Sequence, residues 1–162
     1  MRILGIDPGL NVTGWGVIDV AGDRCVYVRH GVLRTKPADG RVARLVAIRD
    51  GVRAIAAEWA AEAGAIESSF VGTNARSAMS LGEARAAAIL GLADARLDVA
   101  EFAPALVKQT VAGYGRGEKA QIAEMVRLQL GLATTPSPAD AADALAIAIT
   151  RWAHERLSRI AD

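Results

Sequence analysis

Residues 2–18 read Arg2-Ile3-Leu4-Gly5-Ile6-Asp7-Pro8-Gly9-Leu10-Asn11-Val12-Thr13-Gly14-Trp15-Gly16-Val17-Ile18. The first six are a short apolar run ending on an aspartate, and a run of that length bounded by turn residues reads as a strand. Pro8-Gly9-Leu10-Asn11 is turn chemistry. Thr13 to Ile18 then returns antiparallel as a second strand. Ala21-Gly22-Asp23 makes the next turn. Residues 24–33 alternate as a third strand, with Cys25, Tyr27 and Arg29 on one side and Val26, Val28 and His30 on the other. The chain thus opens as a three-stranded antiparallel meander with Asp7 at its first turn.

Downstream the apolar period changes from two to about 3.6. Leu45, Ile48, Val52, Ile55 and Trp59 mark one stripe of an amphipathic helix over residues 41–62, with Gly64 as its C-terminal stop. Ala65-Ile66-Glu67 is a short buried strand. A second helix follows over 75–93, capped by Asn74. Residues 98–102 form a fifth strand and 104–112 a short helix. Gly113 to Gly117 is a loop. Residues 118–130 form a further helix stopped by Gly131. Ser137 as N-cap and Pro138 at the first helical position start the last helix, 139–159. Helical crossovers favour parallel pairing and cover a sheet's faces. The expected fold class is α/β: a five-stranded mixed sheet, three antiparallel strands then two parallel ones, with helices on both faces.

A chain of 162 residues can bury a full core, and residues 1–162 read as one domain. No apolar run reaches the length of a membrane span, and the start Met1 to Asp7 is too short in apolar length for a signal peptide. The lone Cys25 excludes an internal disulfide and reads as a buried structural thiol. The expected setting is cytoplasmic, with no membrane association. The charge balance, 19 basic against 18 acidic residues, neither advertises nor excludes a nucleic-acid partner, because local charge decides affinity.

Four carboxylates stand out. Asp7 ends the first strand, Glu67 ends the fourth, and Asp140 and Asp143 lie three apart on one face of the last helix. Each has an ordinary explanation alone: a turn hydrogen bond for Asp7, a salt bridge for Glu67, a helix N-terminus for Asp140. Brought together without cations they would repel. Divalent cations offset that repulsion, and hard oxygen ligands suit Mg²⁺ or Mn²⁺. Two such ions per site can activate a water and stabilise a leaving oxygen in phosphodiester hydrolysis.

The element order and acidic positions resemble the ribonuclease-H-like superfamily. The ordered set Gly5-Ile6-Asp7-Pro8-Gly9, Gly14-Trp15-Gly16-Val17, Ala65-Ile66-Glu67, Val107-Lys108-Gln109-Thr110-Val111 and Asp140-Ala141-Ala142-Asp143-Ala144-Leu145-Ala146-Ile147-Ala148 is similar to that of the RuvC family of bacterial Holliday-junction resolvases. It covers nearly the whole chain, and any longer tail seen in relatives is expected to be absent. The resemblance implies a structure-specific endonuclease that nicks four-way junctions symmetrically in recombination and repair, leaving 5′-phosphate ends. It implies that Asp7, Glu67, Asp140 and Asp143 are catalytic metal ligands, and that Lys108 and Lys119 lie near the scissile phosphate or the DNA backbone. It also implies a homodimer acting with the RuvA–RuvB branch-migration complex.

Phe70 matches the aromatic such enzymes set against unstacked bases; folding back onto the core is its plainer role. Asn74, Arg76 and Arg116 complete the candidate DNA contacts. The three tryptophans read as packing residues, and the helix from Ser77 to Leu92 is the candidate subunit interface. Two rival functions remain. The Asp7 turn before a hairpin also resembles the phosphate loop of actin-like ATPases and sugar kinases, although those need two such lobes. A catalytically silent junction-binding protein could use the same fold, and the complete carboxylate set argues against it.

Overall fold

A computed structural model describes residues 1–68, 74–113 and 118–161, the last three as backbone only. Its strands are β1 (Arg2–Asp7), β2 (Val12–Ala21), β3 (Arg24–Arg34), β4 (Ala63–Glu67) and β5 (Asp98–Phe102). Its helices are α1 (Arg41–Glu58), α2 (Ala75–Asp94), α3 (Pro104–Ala112), α4 (Lys119–Gln129) and α5 (Ala139–Ala161), with a 3₁₀ turn at Pro37–Asp39. The strands form one sheet in the order β3-β2-β1-β4-β5. The first three pair antiparallel, and β4 and β5 add in parallel. Parallel neighbours need a crossover, supplied here by α1 and α2. This is the expected mixed sheet, three antiparallel strands and then two parallel ones.

Period-two alternation splits the core. Ile3 and Ile18 face one side, where they pack with Val107, Ile122, Val126, Leu145 and Ile149 of α3, α4 and α5. Leu4, Ile6 and Val17 face the other, against Ile48, Val52 and Leu92 of α1 and α2. Trp15 and Trp59 stack there with centroids 6.4 Å apart. α5 lies directly on the β1–β2 backbone, because that face presents glycines. A Cβ on Gly5 would collide with the Ala144 carbonyl, one on Gly14 with the Asp140 carbonyl, and one on Gly16 would stand 2.7 Å from the Leu145 side chain.

Several local expectations differ from the structure. α1 ends at Glu58, and the chain reverses through Ala60 at φ 48°; Gly64 is not a helix stop but sits inside β4, paired with Leu4 and Val99. The last helix begins at Ala139, where the Pro138 carbonyl accepts from the amides of Ala141 and Ala142, so Ser137 is not its cap and Asp140 is its second residue. The β3 alternation breaks at a bulge. Ile18 pairs with Tyr27 and Val17 with Arg29, which leaves Val28 as the extra residue. Among the described residues no helix is long and apolar enough to cross a membrane.

Candidate active site

The same alternation aims the first two carboxylates. Ile3 and Gly5 of β1 face α5, so Asp7, two residues on, leaves the strand toward α5. Ala63 and Ala65 of β4 face α5, so Glu67 does likewise. β1 and β4 are parallel neighbours with Ile6 opposite Ile66, and both acids are the next residue along. Strands about 4.8 Å apart therefore present them side by side. Asp7 also pairs with Gly14, and Gly14 touches the Asp140 backbone. That contact brings the first two turns of α5, with Asp140 and Asp143, over the strand end.

Asp7, Glu67 and Asp143 line one cavity of about 250 Å³ together with Lys108, Lys119, Pro104, Val107 and Ile122. Asp140 is not among the lining residues; it stands one helical turn before Asp143, and its charge is felt by both Asp7 and Asp143. Burial, and then the charges of Asp143, Glu67 and Asp140, push the Asp7 carboxyl up to about 8. Glu67 is raised by burial and by Asp143, against the pull of Lys108 and Lys119. Asp143 is raised by burial, against Lys119, whose ammonium lies 3.5 Å from its carboxylate. The Lys119 ammonium is itself raised, chiefly by Asp143.

The donors are all carboxylate oxygens, the set preferred by hard divalent cations. Among the described residues no three acidic, histidine or cysteine side chains already stand as a closed cation cage. The carboxylates share a pocket and repel across it.

Two arginines that drew no notice in the sequence support this geometry. Arg85 of α2 donates from Nε to the Glu67 carbonyl at 2.9 Å and pairs with Glu101 of β5. Arg44 of α1 is buried under the turn that follows Asp7. It donates to Thr35 Oγ1 at 2.8 Å and to the Leu10 carbonyl and the Asn11 side chain. Both contacts span long stretches of chain, and no local pattern announces them.

The other candidates divide. Lys108 and Lys119 lie at the carboxylates. Asn74 accepts from the Ser77 amide at 3.2 Å, the capping role expected of it. Arg76 lines a separate open cleft with Leu10, Asn11, Ser77 and Ser80. Phe70 and Arg116 lie outside the described residues.

Comparison with known proteins bears on this arrangement. A family model described as "Crossover junction endodeoxyribonuclease RuvC" matches residues 3–151. A protein of that name from Burkholderia cenocepacia is 53% identical over 149 residues, which are 92% of this chain and 82% of the relative. One from Chloroflexus aggregans is 48% identical, with 92% and 91% covered. The solved structure of Thermus thermophilus RuvC in complex with Holliday junction substrate is 34% identical, with TM-score 0.90 over 98% of this chain and 96% of that one. The yeast mitochondrial resolvase Ydc2 shares the fold at 13% identity and TM-score 0.66, covering 96% and 83%. Sequence and structure agree that this chain belongs to the RuvC family of crossover junction endodeoxyribonucleases.

Proposed function

We propose that this chain resolves four-way DNA junctions by metal-dependent phosphodiester hydrolysis, in homologous recombination and repair. One observation carries the reading: three carboxylates converge with two lysines on one pocket, where burial and then the neighbouring carboxylates push the Asp7 carboxyl up to about 8. The donor set fits Mg²⁺ or Mn²⁺, two ions per site. Asp7, Glu67, Asp140 and Asp143 would hold them. Bound there, the ions would supply Lewis acidity at the scissile phosphate and a more acidic water. The carboxylates hold and orient, while Lys108 and Lys119 meet the phosphate. The products are 5′-phosphate and 3′-hydroxyl ends. Nuclease assays on a four-way junction and a linear duplex of matching sequence test this. Cleavage of the junction alone is expected; equal cleavage of both would overturn it. Saturable ATP binding by calorimetry would favour the phosphotransferase rival.

Metal and proton compete for Asp7. Its carboxyl is raised, so at neutral pH a cation must displace a proton. Apparent Mn²⁺ affinity should therefore climb by up to about tenfold per pH unit as pH approaches 8, and flatten above. Calorimetric titrations at several pH values measure this. A flat affinity from pH 6 to 9 would contradict it.

Lys→Ala at position 108 or 119 should weaken junction binding and lower its salt slope by about 1 each, the signature of a lost phosphate contact. Phe70→Ala should instead impair cleavage with little change in slope, because stacking releases few counterions. A 2-aminopurine at the crossover reports the difference: unchanged fluorescence and cleavage in Phe70→Ala would remove Phe70 from the mechanism. Asn74, Arg76 and Arg116 are further proposed DNA contacts.

A four-way junction has approximate two-fold symmetry, and two symmetric nicks call for a C₂ pair of sites. α2 exposes Met79 (67%), Leu81 (36%) and Leu90 (54%), and α1 adds Val42 (75%) and Val46 (49%) alongside. Met79 and Leu90, eleven residues apart, share one face of α2, and exposed apolar side chains there fit a second copy of the chain. Light scattering should report a dimer, and Leu90→Glu should shift it to monomer. A monomeric unaltered protein, with and without junction, would contradict the dimer. The RuvA–RuvB complex is the proposed partner at the junction, in the cytoplasm.

A further inference from the structure

The outer strand β3 carries charge that the carboxylate site does not use. Residues 24–36, Arg-Cys-Val-Tyr-Val-Arg-His-Gly-Val-Leu-Arg-Thr-Lys, hold Arg24, Arg29, Arg34 and Lys36 and no acidic residue. All four are exposed. Among the described residues none of the four joins an ion pair, whereas Arg2, Arg41, Arg49, Arg53, Arg85, Arg127, Arg151 and Arg156 all do. The acids that flank the strand are already committed: Asp19 to Arg2 at 2.7 Å and Asp23 to Arg156 at 2.6 Å.

Geometry sets these charges along one edge of the sheet. β3 is an edge of the sheet and ends beside the active-site turn: Arg34 pairs with Val12, and the Thr35 amide donates to the Asn11 carbonyl at 3.1 Å. Two residues five apart on a regular strand point to opposite faces. The bulge at Val28 cancels that for Arg24 and Arg29, which lie opposite Ala21 and Val17 on one face, while Arg34, opposite Val12 with no bulge between it and Arg29, lies on the other, so the charges flank the edge on both sides. From Arg34 to Arg24 the strand covers about 30 Å at ~3.3 Å per residue. One turn of duplex DNA covers about 34 Å.

We propose that the β3 edge is a second phosphate-binding surface, which carries the backbone of a duplex arm leaving the carboxylate pocket. The proposal rests on the junction-cleaving function above. Its partner is duplex DNA, recognised by charge and not by base sequence. Protection of an exposed edge against strand pairing is the competing use of such arginines.

Glutamine separates the two, because it removes the charge and keeps a polar edge. Arg24→Gln/Arg29→Gln and Arg34→Gln/Lys36→Gln are each titrated with a four-way junction over a range of salt. Each pair should lower the salt slope by about 2. Arg24→Lys/Arg29→Lys should restore it. With arms cut below about one turn, ~10 bp, the Arg24 and Arg29 effect should vanish while the Arg34 and Lys36 effect persists. Arg53→Gln/Arg96→Gln, which removes two charges elsewhere, should leave the slope near its original value. An unchanged slope in both Gln pairs, or self-association by size exclusion with an unchanged slope, would assign the arginines to edge protection and overturn the proposal. Loss of junction binding by the unaltered protein would instead sink the parent function along with it.

Discussion

Asp7→Asn should lower junction cleavage by at least about 10³-fold. Metal-supported charge stabilisation is worth several kcal/mol, and each 1.36 kcal/mol is a factor of ten. Junction binding should survive, because it relies on phosphate contacts elsewhere. The same variant should stabilise the metal-free fold. The Asp7 carboxyl is raised from 3.8 to about 8. The favourable, protonated state is therefore fully present below about pH 4 and is lost as pH rises through about 8. Above that, burial and three neighbouring carboxylates act against a full charge. Asparagine has no charge to bury. At pH 9 without metal the variant should gain about 1–3 kcal/mol, or ~2–4 °C in Tm per kcal/mol. Calorimetric melts and single-turnover cleavage check both halves. Full cleavage by Asp7→Asn, or a lower Tm than the parent at pH 9, would contradict the account.

Gly5→Ala should be damaging for a different reason. Its new methyl would meet the Ala144 carbonyl and lie 2.8 Å from the Ala148 amide, and both are helix backbone that no rotamer change can clear. Overpacking of this kind costs about 1–3 kcal/mol. Gly14→Ala would press on the Asp140 carbonyl and lift the first turn of α5. That turn carries Asp140 and leads directly into Asp143, and a displacement of about 1 Å at a reacting centre can cost ~10²-fold in rate. Gly5→Ala should show mainly in Tm, and Gly14→Ala more in cleavage than in Tm. Parental melting and parental cleavage in both variants would mean that α5 does not owe its depth to these glycines.

The positions of the carboxylates were legible because they depend on local rules. Alternation along β1 and β4 aims Asp7 and Glu67, and helical spacing pairs Asp140 with Asp143. The mixed sheet followed from the change of period after residue 40. What escaped depends on distant partners. Gly64 carries the same residue signal whether it stops a helix or lies in a strand; pairing with Leu4 and Val99 decides it. The bulge at Val28 is set by register against β2, not by its neighbours in sequence. Arg85 and Arg44 matter through carbonyls 18 and 34 residues away. The cap of α5 differs because the Pro138 carbonyl, not the Ser137 side chain, closes its first turn.

The central claim is that four carboxylates work a cation-dependent cut at a DNA crossover. Its most direct measurement is cleavage of an end-labelled synthetic four-way junction with Mg²⁺ or Mn²⁺, with chelator, and with each carboxylate replaced in turn. The account predicts paired nicks at symmetry-related positions, with ends that a DNA ligase reseals. It predicts no cleavage in chelator, and near-complete loss in Asp7→Asn, Glu67→Gln, Asp140→Asn and Asp143→Asn with junction binding retained. Nicks that persist in chelator, or that survive loss of any of the four carboxylates, would contradict it.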